Sequence, residues 1–157
     1  MNRLKRTRKS GFSLLEVVIV VAIIAILAAI GIPRMSRGSR GANDSAVSGD
    51  LAVLRNAIDL YSAEHGGAFP AAATITDQLM KYTDITGATS DTKTTTHIYG
   101  PYIRSIPPLP VGDKKGKSGI AALTGAEVGW LYTESSGTIK ANTTTEKDEA
   151  DKLYNTY

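Results

Sequence analysis

The 157-residue sequence predicts an α+β chain: one very long N-terminal helix with its hydrophobic half protruding, packed by its C-terminal half on a small, mostly antiparallel sheet. Three observations carry this prediction. From Phe12 to Ile32 the sole charged residue is Glu16. Further on, Val47, Leu51, Leu54, Ile58 and Tyr61 recur at spacings of 4, 3, 4 and 3, which places them on one stripe of a helix. Near the C-terminal end, Gly129–Thr133 and Thr138–Ala141 flank Ser135-Ser136-Gly137, two short strands around a hairpin turn.

Taken in order, residues 1–11 read as a leader to be excluded from the fold. Arg3, Lys5, Arg6, Arg8 and Lys9 crowd the peptide ahead of Gly11. Residues 12–33 form the next segment. Its apolar part, Phe12 to Ile32, is 21 residues, about 31 Å as a helix and close to the thickness of a bilayer's hydrocarbon core. The leader charges favour a cytoplasmic N-terminus, opposed by the smaller number at Arg34, Arg37 and Arg40. A conventional secretory signal cut within Ala25–Ala29 is the competing reading. The length of the run and the carboxylate inside it weigh against that. A charge in an apolar span is costly and marks a functional site, so Glu16 requires a partner.

Gly31 and Pro33 predict a kink, because proline supplies no N–H and crowds the preceding turn. With Gly38, Gly41 and Gly49 beyond, partial melting is expected between about 31 and 42. Residues 34–66 are the C-terminal half of the long helix, with Asp44 or Ser45 as a cap and Gly66-Gly67 as the stop ahead of Pro70. Residues 67–157 are a small α+β head. Within it, Thr76–Tyr82 is a short helix with a threonine cap and 83–96 a polar loop. Tyr99 to Pro110 is a proline-stiffened extended connection, and Asp113 to Gly119 an exposed basic loop. The tail from Thr145 is an amphipathic helix with Leu153 and Tyr154 inward. Tyr99, Tyr102, Trp130 and Tyr132 belong to the core.

Composition excludes several functions. The leader holds five of the 18 basic residues, leaving 13 against all 15 acidic ones. The basic character is the leader's alone, so no nucleic-acid partner is expected. There is no cysteine, hence no disulfide, thiolate metal site or cysteine nucleophile. His65 and His97 lie in expected loops, away from carboxylate clusters, and read as solvated polar residues. No nucleotide or hydrolase fingerprint is present. No catalytic residue, metal site or cofactor is therefore expected. Glu146, Asp148, Glu149 and Asp151 read as a solvated helix face; calcium, which prefers clustered oxygen ligands, has no assigned place.

The segment Lys9-Ser10-Gly11-Phe12-Ser13-Leu14-Leu15-Glu16-Val17 closely resembles the leader junction of type IV pilins and type II secretion pseudopilins. The resemblance implies cleavage between Gly11 and Phe12 by a prepilin peptidase and methylation of the new N-terminal Phe12. Glu16 then becomes the fifth mature residue and Pro33 the twenty-second, both characteristic of the family. It further implies a non-enzymatic subunit, held in the cytoplasmic (inner) membrane with its N-terminus cytoplasmic, then assembled into a helical homopolymer. In that assembly Glu16 of an incoming copy pairs with the Phe12 amine of a copy already in place.

Gly67-x-Phe69-Pro70 and Tyr102-Ile-x-x-Ile106-Pro107 are most similar to the major, G-type pseudopilin. The implied partners are other copies, minor pseudopilins, an inner-membrane assembly platform and membrane lipid. The implied role is a periplasmic pseudopilus that helps export folded proteins. The alternative is a surface pilus for adhesion, motility or DNA uptake. Pro107-Pro108-Leu109-Pro110 stands where the G-type family often has Asp-Pro-Trp-Gly, and the basic loop 113–117 offers few oxygen ligands for the calcium that family often binds.

Overall fold

The computed structural model describes residues 11–157, with the backbone alone over 31–39. The leader expectation therefore lies outside the described residues except at Gly11. The chain divides into two compact units, Met1–Gly38 and Ser39–Tyr157.

Helix α1 runs over Leu14–Glu64, 51 residues. The helical assignment passes through 31–42, where melting was expected. An interior proline costs about 3 kcal/mol and an interior glycine about 1 kcal/mol, and the helix continues through both. The kink expected at Gly31 and Pro33 rests on side chains outside the described residues. Neither expected internal cap acts as one, since the helix does not restart there. Ser45 Oγ instead donates to the Gly41 carbonyl at 2.9 Å, the back-bond that serine makes inside a helix. Asp44 faces the tail.

Among the described residues no helix is long and apolar enough to cross a membrane. The expected span began at Phe12, but α1 begins at Leu14.

The stop at Gly66-Gly67 has a local cause. Gly66 and Gly67 take φ +66° and +91°, and the Gly67 N–H reaches back to the Ser62 carbonyl at 2.8 Å. This left-handed C-terminal closure satisfies carbonyls that the helix leaves open.

In the second unit the predicted stripe is the core. Val47, Leu51, Leu54, Ile58 and Tyr61 are all buried, and they cluster with Ile75, Leu79, Leu109, Ile120, Trp130, Tyr132, Ile139 and Tyr154. Helix α2 is Ile75–Met80, and Thr74 precedes it without a side-chain cap bond. The polar tips of the core aromatics end on the proline-rich connections. Trp130 Nε1–H donates to the Pro107 carbonyl at 2.8 Å and the Tyr132 hydroxyl to the Pro70 carbonyl at 2.9 Å. Buried Trp and Tyr need such partners. Tyr99 and Tyr102 are only half-buried.

The sheet differs from expectation. Strands β1 (Tyr82–Thr83) and β2 (Thr89–Ser90) form an antiparallel pair that takes the last residue of the expected short helix, Tyr82, and part of the expected loop 83–96. Strands β3 (Gly119–Ala121), β4 (Val128–Thr133) and β5 (Thr138–Ala141) form a separate sheet. In it β4 and β5 are antiparallel as predicted, but β3 lies parallel to β4. The result is a mixed sheet. Gly137 closes the β4–β5 turn in the left-handed conformation, φ 66°. A Cβ on Gly129 would collide with the Lys117 carbonyl oxygen, so β4 needs glycine where that loop crosses it.

The tail is no α-helix. It holds a single 3-10 turn, Tyr154–Thr156, and an isolated bridge between Lys147 and Leu153. Tyr154 points inward as expected and is buried, whereas Leu153 is half-buried. The Asp148 carboxylate accepts the Ala150 and Lys152 N–H groups at 2.8 Å each, and a carboxylate that takes backbone donors offers the chain an alternative to helix.

Candidate functional site

The predicted site residues fall at the start of α1. Ser13 precedes the helix, and its carbonyl accepts the Val17 N–H at 3.3 Å. Its hydroxyl accepts the Leu15 N–H at 3.3 Å, while its own N–H donates to Glu16 Oε2 at 2.9 Å. Together these bonds form a capping box. Glu16 therefore has a partner within its own chain, and its negative charge sits at the favourable end of the helix dipole. Ser13 joins the site through this geometry; its signal in the sequence is the Ser-x-x-Glu spacing.

Gly11 and Phe12 lie outside the helix. Among the described residues nothing approaches Gly11 within 4 Å of where a Cβ would stand, and Phe12 is 88% exposed. Phe12, Glu16, Val17, Val20 and Val21 line a groove of about 300 Å³ along this end of the helix. From Leu14 to Ile30 every large apolar side chain is between 49% and 82% exposed. A helix bare on all sides is one whose cover comes from lipid or from other chains. Ala22, Ala25 and Ala29 are exposed among them and Ala28 is half-buried, small side chains that permit close helix approach. Gly31 and Pro33, expected to soften this segment, lie where side chains are not described.

A second polar cluster ties the tail to α1. Asp44 accepts from the Tyr154 hydroxyl at 2.5 Å and from the Glu149 N–H at 3.1 Å. Arg55 donates to the Tyr157 backbone oxygen at 2.6 Å and to the Ile139 carbonyl at 3.3 Å. Glu146 accepts from the N–H groups of Thr144, Thr145 and Asp113 at 3.0, 3.1 and 3.3 Å. Partial burial alone would raise the Glu146 pKa, but these N–H bonds outweigh it and hold the carboxyl below its ordinary range. The Tyr157 hydroxyl bonds Asp148, which lowers the Asp148 pKa and pushes that of Tyr157 up to about 12. These carboxylates spend their lone pairs on the chain's own donors. Among the described residues no group of three or more His, Asp or Glu side chains is arranged to hold a metal ion.

His65 departs from its reading as a solvated residue. It is 6% exposed, stacked on the Tyr61 ring at 3.8 Å, with Nδ1 at 2.8 Å from the Tyr61 carbonyl and Nε2 at 2.9 Å from that of Asp84. It joins the end of α1 to the β1–β2 hairpin and has no exposed face for chemistry. His97 stays among threonines, with Nδ1 at 3.0 Å from Thr94 Oγ1.

Residues 6–32 match the family model of the prokaryotic N-terminal methylation motif. The chain carries this methylation motif at its N-terminus. The matched stretch contains Gly11, Phe12, Ser13 and Glu16 and ends at the last apolar residue before Pro33. No curated protein and no solved structure matches the chain.

Proposed function

We propose that the chain is a non-enzymatic subunit of a type II secretion pseudopilus, anchored by its N-terminal helix in the inner membrane and then assembled into a helical filament of its own copies. One observation carries the reading. A methylation motif coincides with the Leu14–Ile30 segment of α1, whose large apolar side chains are exposed on every side and whose one carboxylate, Glu16, sits in the first turn. A head with its own core does not need such a helix, whereas a filament or a bilayer covers it.

In this reading a peptidase cuts between Gly11 and Phe12 and Phe12 is methylated. Glu16 of an incoming copy then pairs with the Phe12 ammonium of one already assembled, the kind of partner a buried carboxylate requires. Assembly moves the helix from lipid into a bundle, and Ala22, Ala25, Ala28 and Ala29 let neighbouring helices approach. Minor pseudopilins and an inner-membrane platform are the further partners. Energy comes from a separate ATPase.

Intact-mass and N-terminal peptide mass spectrometry of membrane-extracted protein tests the pathway. A chain beginning at methylated Phe12 supports it. A chain beginning near Ala29 sinks it in favour of a conventionally exported domain. Deleting the gene separates the two filament readings. Loss of secreted folded proteins is expected for a pseudopilus, whereas intact secretion with missing surface fibres assigns a type IV pilus.

A further inference from the structure

One titratable ring is buried in the head and has no part in the filament reading. His65 follows α1 directly and joins the end of that helix to the β1–β2 hairpin. Its Nδ1 lies 2.8 Å from the Tyr61 carbonyl oxygen, and its Nε2 lies 2.9 Å from that of Asp84 and 3.2 Å from Thr83 Oγ1. A carbonyl can only accept, and a neutral imidazole carries one N–H. Either neutral tautomer therefore turns a nitrogen lone pair toward a carbonyl oxygen, whereas the doubly protonated ring donates to both. The surroundings suit its charge. The Tyr61 ring stacks on it at 3.8 Å, a π face that attracts a cation, and the Tyr99 and Tyr102 rings flank it at 5.1 and 6.5 Å. The charged groups beside it on α1 and the hairpin are carboxylates. Glu64 accepts the Tyr102 hydroxyl at 2.6 Å, and Asp84 accepts from Thr86 and Ala88. After α2, Lys81 is engaged by Asp77 and Asp91 at 3.3 Å each.

We propose that His65 is a pH-sensitive clasp between the end of α1 and the β1–β2 hairpin: the imidazolium bonds both carbonyls, and loss of one proton sets a lone pair against one of them and loosens the hairpin. The protonated ring is the tighter clasp. Its hold is complete in acid and is lost as pH rises through roughly 5 to 8, the range in which histidine changes charge. Carboxylic acids ordinarily titrate at about 4 and phenols at about 10, and here they move further from that range. The Thr86 hydroxyl and the Ala88 and Thr86 N–H groups lower Asp84, while burial raises Tyr61 and Tyr102. The other group that changes charge in this range is His97, close enough to Asp84 to act on it.

The test is nuclear magnetic resonance on the isotope-labelled, detergent-solubilised full-length chain, from about pH 5 to about pH 8. Ring nitrogen shifts report the protonation of His65. Amide exchange, corrected for its intrinsic pH dependence, reports opening of the hairpin at Thr83, Asp84 and Tyr99, whose N–H groups bond the Tyr99, Ala88 and Thr83 carbonyls. Exchange there is expected to rise about tenfold as the ring loses its proton, the factor that loss of one hydrogen bond to a charged group corresponds to. Exchange at Trp130 in β4 is expected to stay level. His65→Gln, with no proton to lose in this range, is expected to remove the step, and His97→Gln to keep it. A step that disappears with His97→Gln overturns the clasp. So does a His65 ring that changes protonation while exchange in the hairpin stays level, or one that is neutral at about pH 5 with the hairpin closed. The coincidence of ring and amide transitions in the wild-type chain decides the matter even where His65→Gln does not fold.

Discussion

At Gly112 the backbone and a carboxylate compete for one space. Its φ is +73°, and a Cβ there would stand 2.8 Å from Glu146 Oε1. Gly112→Ala therefore strains the backbone and displaces the carboxylate that gathers the Thr144, Thr145 and Asp113 N–H groups. A loss of about 1–3 kcal/mol is expected, read as a lower melting temperature of the detergent-solubilised chain. The same cluster fixes a pH response. Glu146 and Asp148 both have lowered folded-state pKa values. Their contribution to stability is then complete above the ordinary carboxylate range of roughly 4 and is lost as pH falls through the folded values. Hydrogen exchange at Thr144, Thr145, Ala150 and Lys152 should accelerate on acidification before that of Trp130 in β4. Simultaneous opening of both would refute the assignment.

For the elements, the decisive contrast lies within α1. Leu54 is fully buried, whereas its neighbour Val53 is 49% exposed. Leu54→Ala is expected to cost about 2–5 kcal/mol as a core cavity, and Val53→Ala to stay within about 0.5 kcal/mol; denaturant melts compare them directly. The stripe was legible because helical burial repeats over several turns, and Gly66-Gly67 because a left-handed stop needs glycine. β5 was legible from its alternation, with Ile139 and Ala141 buried between exposed Thr138 and Lys140. β3 was not: three residues carry no period, and its parallel partner is set by the loop that crosses Gly129. The tail misled for a related reason. Leu153 and Tyr154 fit a helix pattern, but Asp148 takes the N–H groups such a helix would use. His65 was misread because only the tertiary fold sets two carbonyls against its ring nitrogens. Of the candidate site, Gly11, Phe12 and Glu16 were legible from the motif. Ser13 was missed although its spacing to Glu16 signals the capping box.

Across the whole molecule, the two halves of α1 serve different surroundings. One buries its stripe in the head, and the other exposes apolar residues that lipid or neighbouring copies must cover. If the stretch at Gly31 and Pro33 adjusts when those surroundings change, Pro33→Ala should alter filament yield or helical geometry, as seen by electron microscopy. Unchanged filaments would count against that adjustment. The bonds from Arg55 and Asp44 to the tail have a consequence in time. They join residues 102 and 110 positions apart, so the stripe on α1 is synthesised long before the groups that cover it. At about 5–20 residues per second, the interval is roughly 5–20 s. Through that interval the nascent stripe is a sticky surface still awaiting its C-terminal lid.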